Sequence, residues 1–316
     1  MRALIYTSPG EVQLGEQAEP EPGPDEELLS VLASGICGSE LHGFRTPGLR
    51  VPPLVMGHEL VGRTAGGRRV VVNPLLSCGG CDSCLAGRPQ ICRHRELLGV
   101  HRPGGFGEHV AVPRSAMHDL PEGLADAAAV LIEPLANAVH AHGLINAAAI
   151  HDGAGRIGVV GAGPIGLLCA LVAARRGARV VVADTSEHRR ASARRLGLAV
   201  ADSLEGEYDA ILDAVGLPAT RQSSLAHLRP AGTAIWLGLA HDATEVAGNG
   251  VVRAEQCIRG SFAYTPTEFA EAVALAPELD LTWTTPVPLA DAVEVFYSLA
   301  DGNTEIVKAV IVPAAG

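Results

Sequence analysis

From about residue 150 onward, short and nearly unbroken apolar runs alternate with longer stretches whose apolar residues recur every three to four positions. The runs 156–160, 179–183, 210–213 and 233–237 read as strands buried on both faces. The intervening stretches 164–176, 186–196 (stopped by Gly197) and 218–228 read as helices. This is the rhythm of βαβ units, and it predicts a parallel, doubly wound sheet. Residues 1 to about 136 have a different texture. They are rich in Gly and Pro, with short β-type runs at 27–33, 69–73 and 108–112, as in a small, irregular β-rich domain. A further strand is expected at 256–264. After Pro266, a helix at 267–276 and a final run at 305–312 are expected to return to the first domain. The reading is an α/β chain with residues 1–136 and 266–316 in one domain and 137–265 in the other.

Composition narrows the partners. A hydrophobic fraction of 47% with 19% charged residues supports buried cores rather than disorder. The net charge of −11 would repel phosphate backbones and anionic lipid, which argues against nucleic-acid and membrane partners. The N-terminal stretch reaches a charge and a Pro-Gly turn too early for a signal peptide, and Gly, Pro or charge interrupts every apolar run before it could span a bilayer. The expectation is a soluble, cytoplasmic protein.

Four of the seven cysteines crowd together as Cys78-x-x-Cys81-x-x-Cys84 followed, after seven residues, by Cys92. Four soft ligands in one loop suit a tetrahedral zinc closed to water, hence structural. An iron–sulfur cluster fits less well: a ferredoxin-type run places its fourth cysteine after three residues and before proline, whereas here Arg93 follows. Cys169 and Cys257 lie in apolar stretches and read as small buried hydrophobes.

Gly161-Ala-Gly163-Pro164-Ile165-Gly166 follows a predicted strand and opens a predicted helix, the context in which glycines let the backbone approach a pyrophosphate at a helix N-terminus. Asp184 ends the next strand, 18 residues beyond Gly166, where an acid can hold ribose hydroxyls and repel a 2′-phosphate; NAD is therefore expected over NADP. An N-cap role for Asp184 competes with that reading. Arg189, one turn into the following helix, is a further cofactor-side candidate. With Arg190 it could attract a 2′-phosphate, although a solvated charged face is the simpler account.

Three more segments carry metal-ligand chemistry: Gly35-Ile-Cys37-Gly-Ser39-Glu40-Leu-His42, Gly57-His58-Glu59 and Ile132-Glu133-Pro134. Cys, His and carboxylate donors fit a catalytic zinc that keeps a position open. Together these motifs resemble the zinc-containing alcohol dehydrogenase superfamily of medium-chain dehydrogenases/reductases, nearest to its polyol, threonine and 2,3-butanediol branch, over essentially the whole chain. The resemblance implies a GroES-like domain carrying both zincs and a Rossmann domain. It also implies a catalytic zinc held by Cys37, His58 and either Glu59 or Glu133, with Glu133 standing where many alcohol dehydrogenases carry cysteine. It gives Ser39 the alcohol oxygen and His42 the far end of a proton path through the cofactor ribose. It implies, finally, a small-molecule alcohol substrate and a homodimer or homotetramer. Two departures stand out. The stretch between Glu59 and Val70 is shorter than in relatives, with Arg68 where Asp is common, and Glu40 replaces the usual Asp. A threonine-type amino alcohol is the alternative substrate, and a catalytically silent NAD-binding protein is the reading from another class.

Overall fold

Strand β3 organises the first unit, and its burial pattern shows why. Leu29, Val31 and Ala33 alternate inward, and from Ala33 to Gly35 both faces become buried. The computed structural model describes residues 1–146, 155–303 and 305–313. Its elements divide into two units, Met1–Glu133 with Thr265–Gly316, and Pro134–Tyr264.

The first unit runs β1 (Arg2–Ser8), β2 (Glu11–Glu16), β3 (Glu26–Gly35), α1 (Gly38–Gly43), β4 (Leu54–Val55), β5 (Glu59–Thr64), β6 (Arg69–Val72), β7 (Leu75–Leu76), α2 (Asp82–Leu85), β8 (Glu96–Leu97), β9 (His109–Pro113), β10 (Met117–Asp119) and α3 (Asp126–Ala129). Helix α4 (Ile132–Gly143) follows. The second unit then runs β11 (Arg156–Val160), α5 (Pro164–Arg175), β12 (Arg179–Ala183), α6 (Glu187–Arg195), β13 (Ala199–Ala201), β14 (Tyr208–Asp213), α7 (Pro218–Ala226), β15 (Leu228–Trp236), α8 (Gly248–Arg253) and β16 (Cys257–Gly260). The chain closes in the first unit with α9 (Pro266–Leu275), β17 (Thr285–Pro288), α10 (Ala292–Ala300) and β18 (Ala309–Val312).

In the first unit the main sheet is ordered β10-β6-β5-β3-β18-β17, with β9 also paired to β3. Strand β3 is antiparallel to β5, β9 and β18, so the last strand of the chain lies against the segment that leads to Cys37. Two apolar clusters fill this unit. One joins Leu29, Val31, Leu60, Val70, Val72 and Val110. The other is aromatic: Phe44 meets Phe296 edge-to-face at 5.1 Å, and both are fully buried.

The second unit is a six-stranded, all-parallel sheet ordered β13-β12-β11-β14-β15-β16. Read from β11 as the first strand this is 3-2-1-4-5-6, the doubly wound dinucleotide order, whose direction reverses between β11 and β14. Helix α5 is buried without a break from Gly166 to Ala173, as expected of a helix packed inside a domain rather than on its rim.

Boundaries depart most from the sequence pattern in three places. Helix α7 stops at Ala226, and β15 begins at Leu228 with an irregular register and a left-handed Ala231 (φ 62°) before the predicted run. The expected strand at 256–264 is only Cys257–Gly260, because pairing with β15 ends at Gly260. In the final run only Ala309–Val312 pairs with neighbours, and residue 304 lies outside the described residues. Among the described residues no helix is long and apolar enough to cross a membrane.

Truncating Phe296 to Ala should cost about 3–5 kcal/mol in the β-rich unit, since it empties the edge-to-face pair with Phe44. Denaturant unfolding followed by intrinsic fluorescence measures this; an unmoved transition would show that the aromatic cluster is not what holds α10 in place.

Candidate active site and metal centres

The β3–β5 pairing sets Gly35 opposite Glu59. Cys37, just past the end of β3, and His58, just before β5, are thereby brought together. The donor atoms of Cys37, His58 and Glu59 lie within 4.8 Å of one another, with His58 5% and Glu59 1% exposed. Gly57 aims the histidine inward. Its φ is +96°, and a Cβ there would enter the Phe106 ring.

Glu40 ties the two ligand segments together. It sits at the third position of α1 and is fully buried. Its Oε2 accepts the Cys37 N–H (2.9 Å), closing a capping box on the helix. Its Oε1 accepts the Gly57 N–H (3.0 Å) and stands 2.9 Å from His58 Nδ1. Burial alone would push the Glu40 carboxyl up, but His58, the Cys37 N–H and the Arg50 charge hold it below the usual carboxylate range. Burial would likewise push His58 down, yet Glu40 and Cys37 hold it well above the ordinary imidazole value. The two shifts are the two sides of one buried pair, the Glu40 carboxylate and the His58 imidazole each favouring the charged form of the other. With Nδ1 engaged by Glu40, Nε2 is the ring nitrogen left for a metal.

Glu59 completes the donor set. Its Oε2 is ion-paired to Lys308, and neither oxygen of the buried carboxylate has a hydrogen-bond partner. An orphaned carboxylate oxygen in a closed pocket is costly unless something coordinates it. Three protein donors of mixed type, one a carboxylate without hydrogen bonds, fit a zinc that retains an open position. Glu133, the alternative fourth ligand in the sequence reading, is buried in the first turn of α4 but is not among the three gathered donors. Ser39 and His42 are exposed and three residues apart on α1, hence on one face.

The four-cysteine lobe projects from the short β7–β8 pair, and Cys81 and Cys84 lie at the start and within α2. The sulfurs approach at 3.6 Å (Cys81–Cys84), 3.7 Å (Cys81–Cys92) and 3.4 Å (Cys92–Cys78). A disulfide would bring sulfurs to about 2.05 Å. A tetrahedron with zinc–sulfur bonds of about 2.3 Å separates them by roughly 3.8 Å, close to what is seen. Cys92 also accepts N–H groups from Cys78 and His94, which favours its thiolate.

In the second unit the glycine turn closes directly after β11. Gly161 has φ +95°, and its amide bonds to Ala183 O (2.8 Å). A Cβ on Gly166 would overlap the Gly161 carbonyl, so only glycine lets α5 approach the turn. Gly163 is the N-cap of α5 and Pro164 its first residue, an arrangement that leaves N–H groups at the helix start available to an anion; Ile165 follows, half-buried. Asp184 accepts the Ala162 N–H at Oδ2 (2.7 Å) and the Ser186 N–H at Oδ1 (2.8 Å), so it braces the glycine turn as well as the loop after β12. The helix N-cap is Ser186, which accepts from Arg189 N, while Arg189 Nη1 stands 3.8 Å from Asp184 Oδ2. One element went unnoticed in the sequence. Buried Asp213, at the end of β14, accepts Val215 N, Gly216 N and Thr220 Oγ1, and so fixes Val215 against Gly161. Its signal was an acid closing an apolar run just before Ala-Val-Gly.

Residues 23–122 match the alcohol dehydrogenase GroES-like domain and residues 164–278 the zinc-binding dehydrogenase domain. L-galactonate-5-dehydrogenase of Escherichia coli K12 is 34% identical over 98% of both chains. An L-threonine 3-dehydrogenase of Rhizobium johnstonii is 37% identical over 69% of this chain and 66% of its own. An NADP-bound structure from Sinorhizobium meliloti 1021, grouped with zinc-binding dehydrogenases, superimposes with a TM-score of 0.91 at 27% identity over 99% of each chain. Fold and donor set thus define the class as zinc-dependent, nicotinamide-linked oxidoreductases. Within it, the chain belongs to the zinc-type medium-chain dehydrogenase/reductase family, in the polyol and threonine dehydrogenase branch.

Replacing Glu40 by Gln should weaken zinc at the three-donor site by roughly 10–100-fold. Cys92→Ser should release the other ion and loosen the lobe. Metal counting after equilibrium dialysis tests both; if either variant kept two zincs with wild-type affinity, the corresponding assignment would fail.

Proposed function

We propose that the chain catalyses the reversible oxidation of a secondary alcohol, within a polyol, cyclitol, sugar or sugar acid, with NAD as hydride acceptor. The observation that carries this reading is the buried Cys37–His58–Glu59 group, whose Glu59 carboxylate accepts no hydrogen bond. A zinc bound there would supply Lewis acidity to the alcohol oxygen. Cys37, His58 and Glu59 hold that ion, and Glu40 fixes the histidine tautomer. Ser39 takes the alcohol proton and hands it toward His42, its neighbour on the same helix face. Cys78, Cys81, Cys84 and Cys92 hold a second, structural zinc, and Glu133 remains the candidate for transient ligation.

The sugar-acid class is favoured by the galactonate enzyme, which matches the chain end to end. The threonine dehydrogenase, similar over a shorter span, supports an amino alcohol as second reading. NAD is preferred because Asp184 puts a carboxylate directly after β12, where it would repel a 2′-phosphate, although Arg189 offsets part of that charge. Gly161, Gly163, Pro164, Ile165 and Gly166 cradle the pyrophosphate. A homodimer or homotetramer is supported by the outer edge of β16, unpaired among the described residues, where Ile258 is 36% exposed, and by Val252 nearby in sequence, 75% exposed. The reading as a silent NAD-binding protein is disfavoured by the complete donor set.

Three outcomes check these proposals. A panel of polyols, sugar acids and amino alcohols should yield NADH with at least one member of the first two groups; activity on amino alcohols alone would hand the assignment to the threonine-type reading. Cys37→Ser should abolish turnover yet leave NADH binding intact, and surviving turnover would sink the ligand assignment. Asp184→Ala should weaken NAD and narrow its advantage over NADP, an effect visible in the ratio of the two kcat/KM values.

A further inference from the structure

Strands β14 and β15 end in register, Asp213 opposite Trp236, and the loops that follow them pack backbone against backbone. A Cβ on Gly238 would overlap Val215 and Gly216, and the amides of Ala240 and His241 bond to Val215 O (3.3 Å) and Gly216 O (3.1 Å). Residues 238–244 thus form a strap beyond the carboxyl ends of these two strands. Helix α7 clasps it with one side chain. Arg221 Nη2 donates to Gly238 O (3.2 Å) and Nη1 to Thr244 Oγ1 (3.1 Å), so a single guanidinium holds both ends of the strap. Its Cζ lies 5.3 Å from the centroid of the Trp236 ring, whose Nε1 donates to Ser224 Oγ (3.0 Å) on the same helix. Arg221 is 8% exposed, its Nε has no hydrogen-bond partner, and among the described residues no carboxylate pairs with it. Between the clasped ends, Leu239 is left 82% exposed.

We propose that Arg221 is a positioning residue which holds the strap ready for the nicotinamide half of the cofactor. The inference rests on the reading of the second unit as a nicotinamide-dinucleotide site. In a doubly wound sheet the ligand lies in the crevice outside the carboxyl ends of the strands, and each half of the sheet takes one mononucleotide. Asp184, directly after β12, assigns the adenosine to the half built on β11, β12 and β13. The nicotinamide half then falls to β14, β15 and β16, where the strap lies. A buried guanidinium without a carboxylate costs solvation that neutral acceptors only partly return. Here both terminal nitrogens go to acceptors on one short segment. A planar fork spans two acceptors at a fixed separation, which a lysine ammonium does not. Without the clasp, the strap would have to be ordered whenever the cofactor bound, and that ordering would subtract from affinity. With it, the strap is ordered beforehand.

Equilibrium binding of NADH and of ADP-ribose to the holoenzyme tests this, since ADP-ribose carries the adenosine and the pyrophosphate but no nicotinamide. Arg221→Met should weaken NADH by roughly ten-fold and leave ADP-ribose within about two-fold of wild type. Thr244→Val removes one acceptor at a half-buried position and should weaken NADH by roughly three-fold, again without moving ADP-ribose. Added to Arg221→Met, it should have no further effect. An arginine that merely supports the fold predicts equal weakening of both ligands. That result, or wild-type NADH affinity in Arg221→Met, would overturn the proposal. Should Arg221→Met not fold, Thr244→Val decides alone: selective loss of NADH affinity supports the proposal, and loss for both ligands or for neither overturns it. A wild-type chain that binds neither ligand would overturn the dinucleotide reading, and the clasp with it.

Discussion

Strand β3 leaves the sheet of the first unit at Gly35, and β5 enters it at Glu59 directly opposite. This one antiparallel register brings a cysteine just beyond one strand within reach of a histidine and a glutamate at the start of the other. Slipping the pairing by one residue would turn Glu59 to the opposite face and break the donor set. The rest of the unit protects this register. Strand β9 pairs along the first half of β3, β18 covers its end, and Glu40 bonds to the amides of both ligand segments.

Bringing these groups together concentrates charge in a closed pocket. Glu40 and Glu59 supply carboxylates and Cys37 a thiol, Arg50 and Lys308 the cations, and Arg50 is itself 3% exposed. Buried charges persist only when paired or bound to metal. The pairing is uneven here: Glu40 accepts two amide N–H groups and stands beside the His58 ring, whereas Glu59 accepts no hydrogen bond and has the Lys308 ammonium beside it. That imbalance separates a scaffold carboxylate from one able to do coordination chemistry. The four-cysteine lobe has the opposite character, a closed set of sulfurs among themselves with nothing left over.

The second unit uses backbone geometry where the first uses charge. Its glycine turn is held from two sides by acids that close apolar strands, Asp184 through the Ala162 amide and Asp213 through the Val215 and Gly216 amides. Only the first was legible in advance, because its spacing from the glycines is a known signature; Asp213 acts on a loop whose importance appears only once β14 lies next to β11. In the same way Lys308 reads in sequence as an ordinary polar residue before an apolar run, and nothing local connects it with Glu59.

The amino-acid order by itself determined what depends on local spacing: the βαβ alternation, the glycine turn with its acid, the four cysteines in one loop, and the candidate ligands at 37, 58 and 59. These are legible because each is encoded within one or two consecutive elements. Only the tertiary structure gathers Glu59, rather than Glu133, beside Cys37 and His58, and takes the single lysine inside next to it. Those outcomes depend on strand partners far apart in the chain, and on burial, which turns weak interactions between charges in water into strong ones.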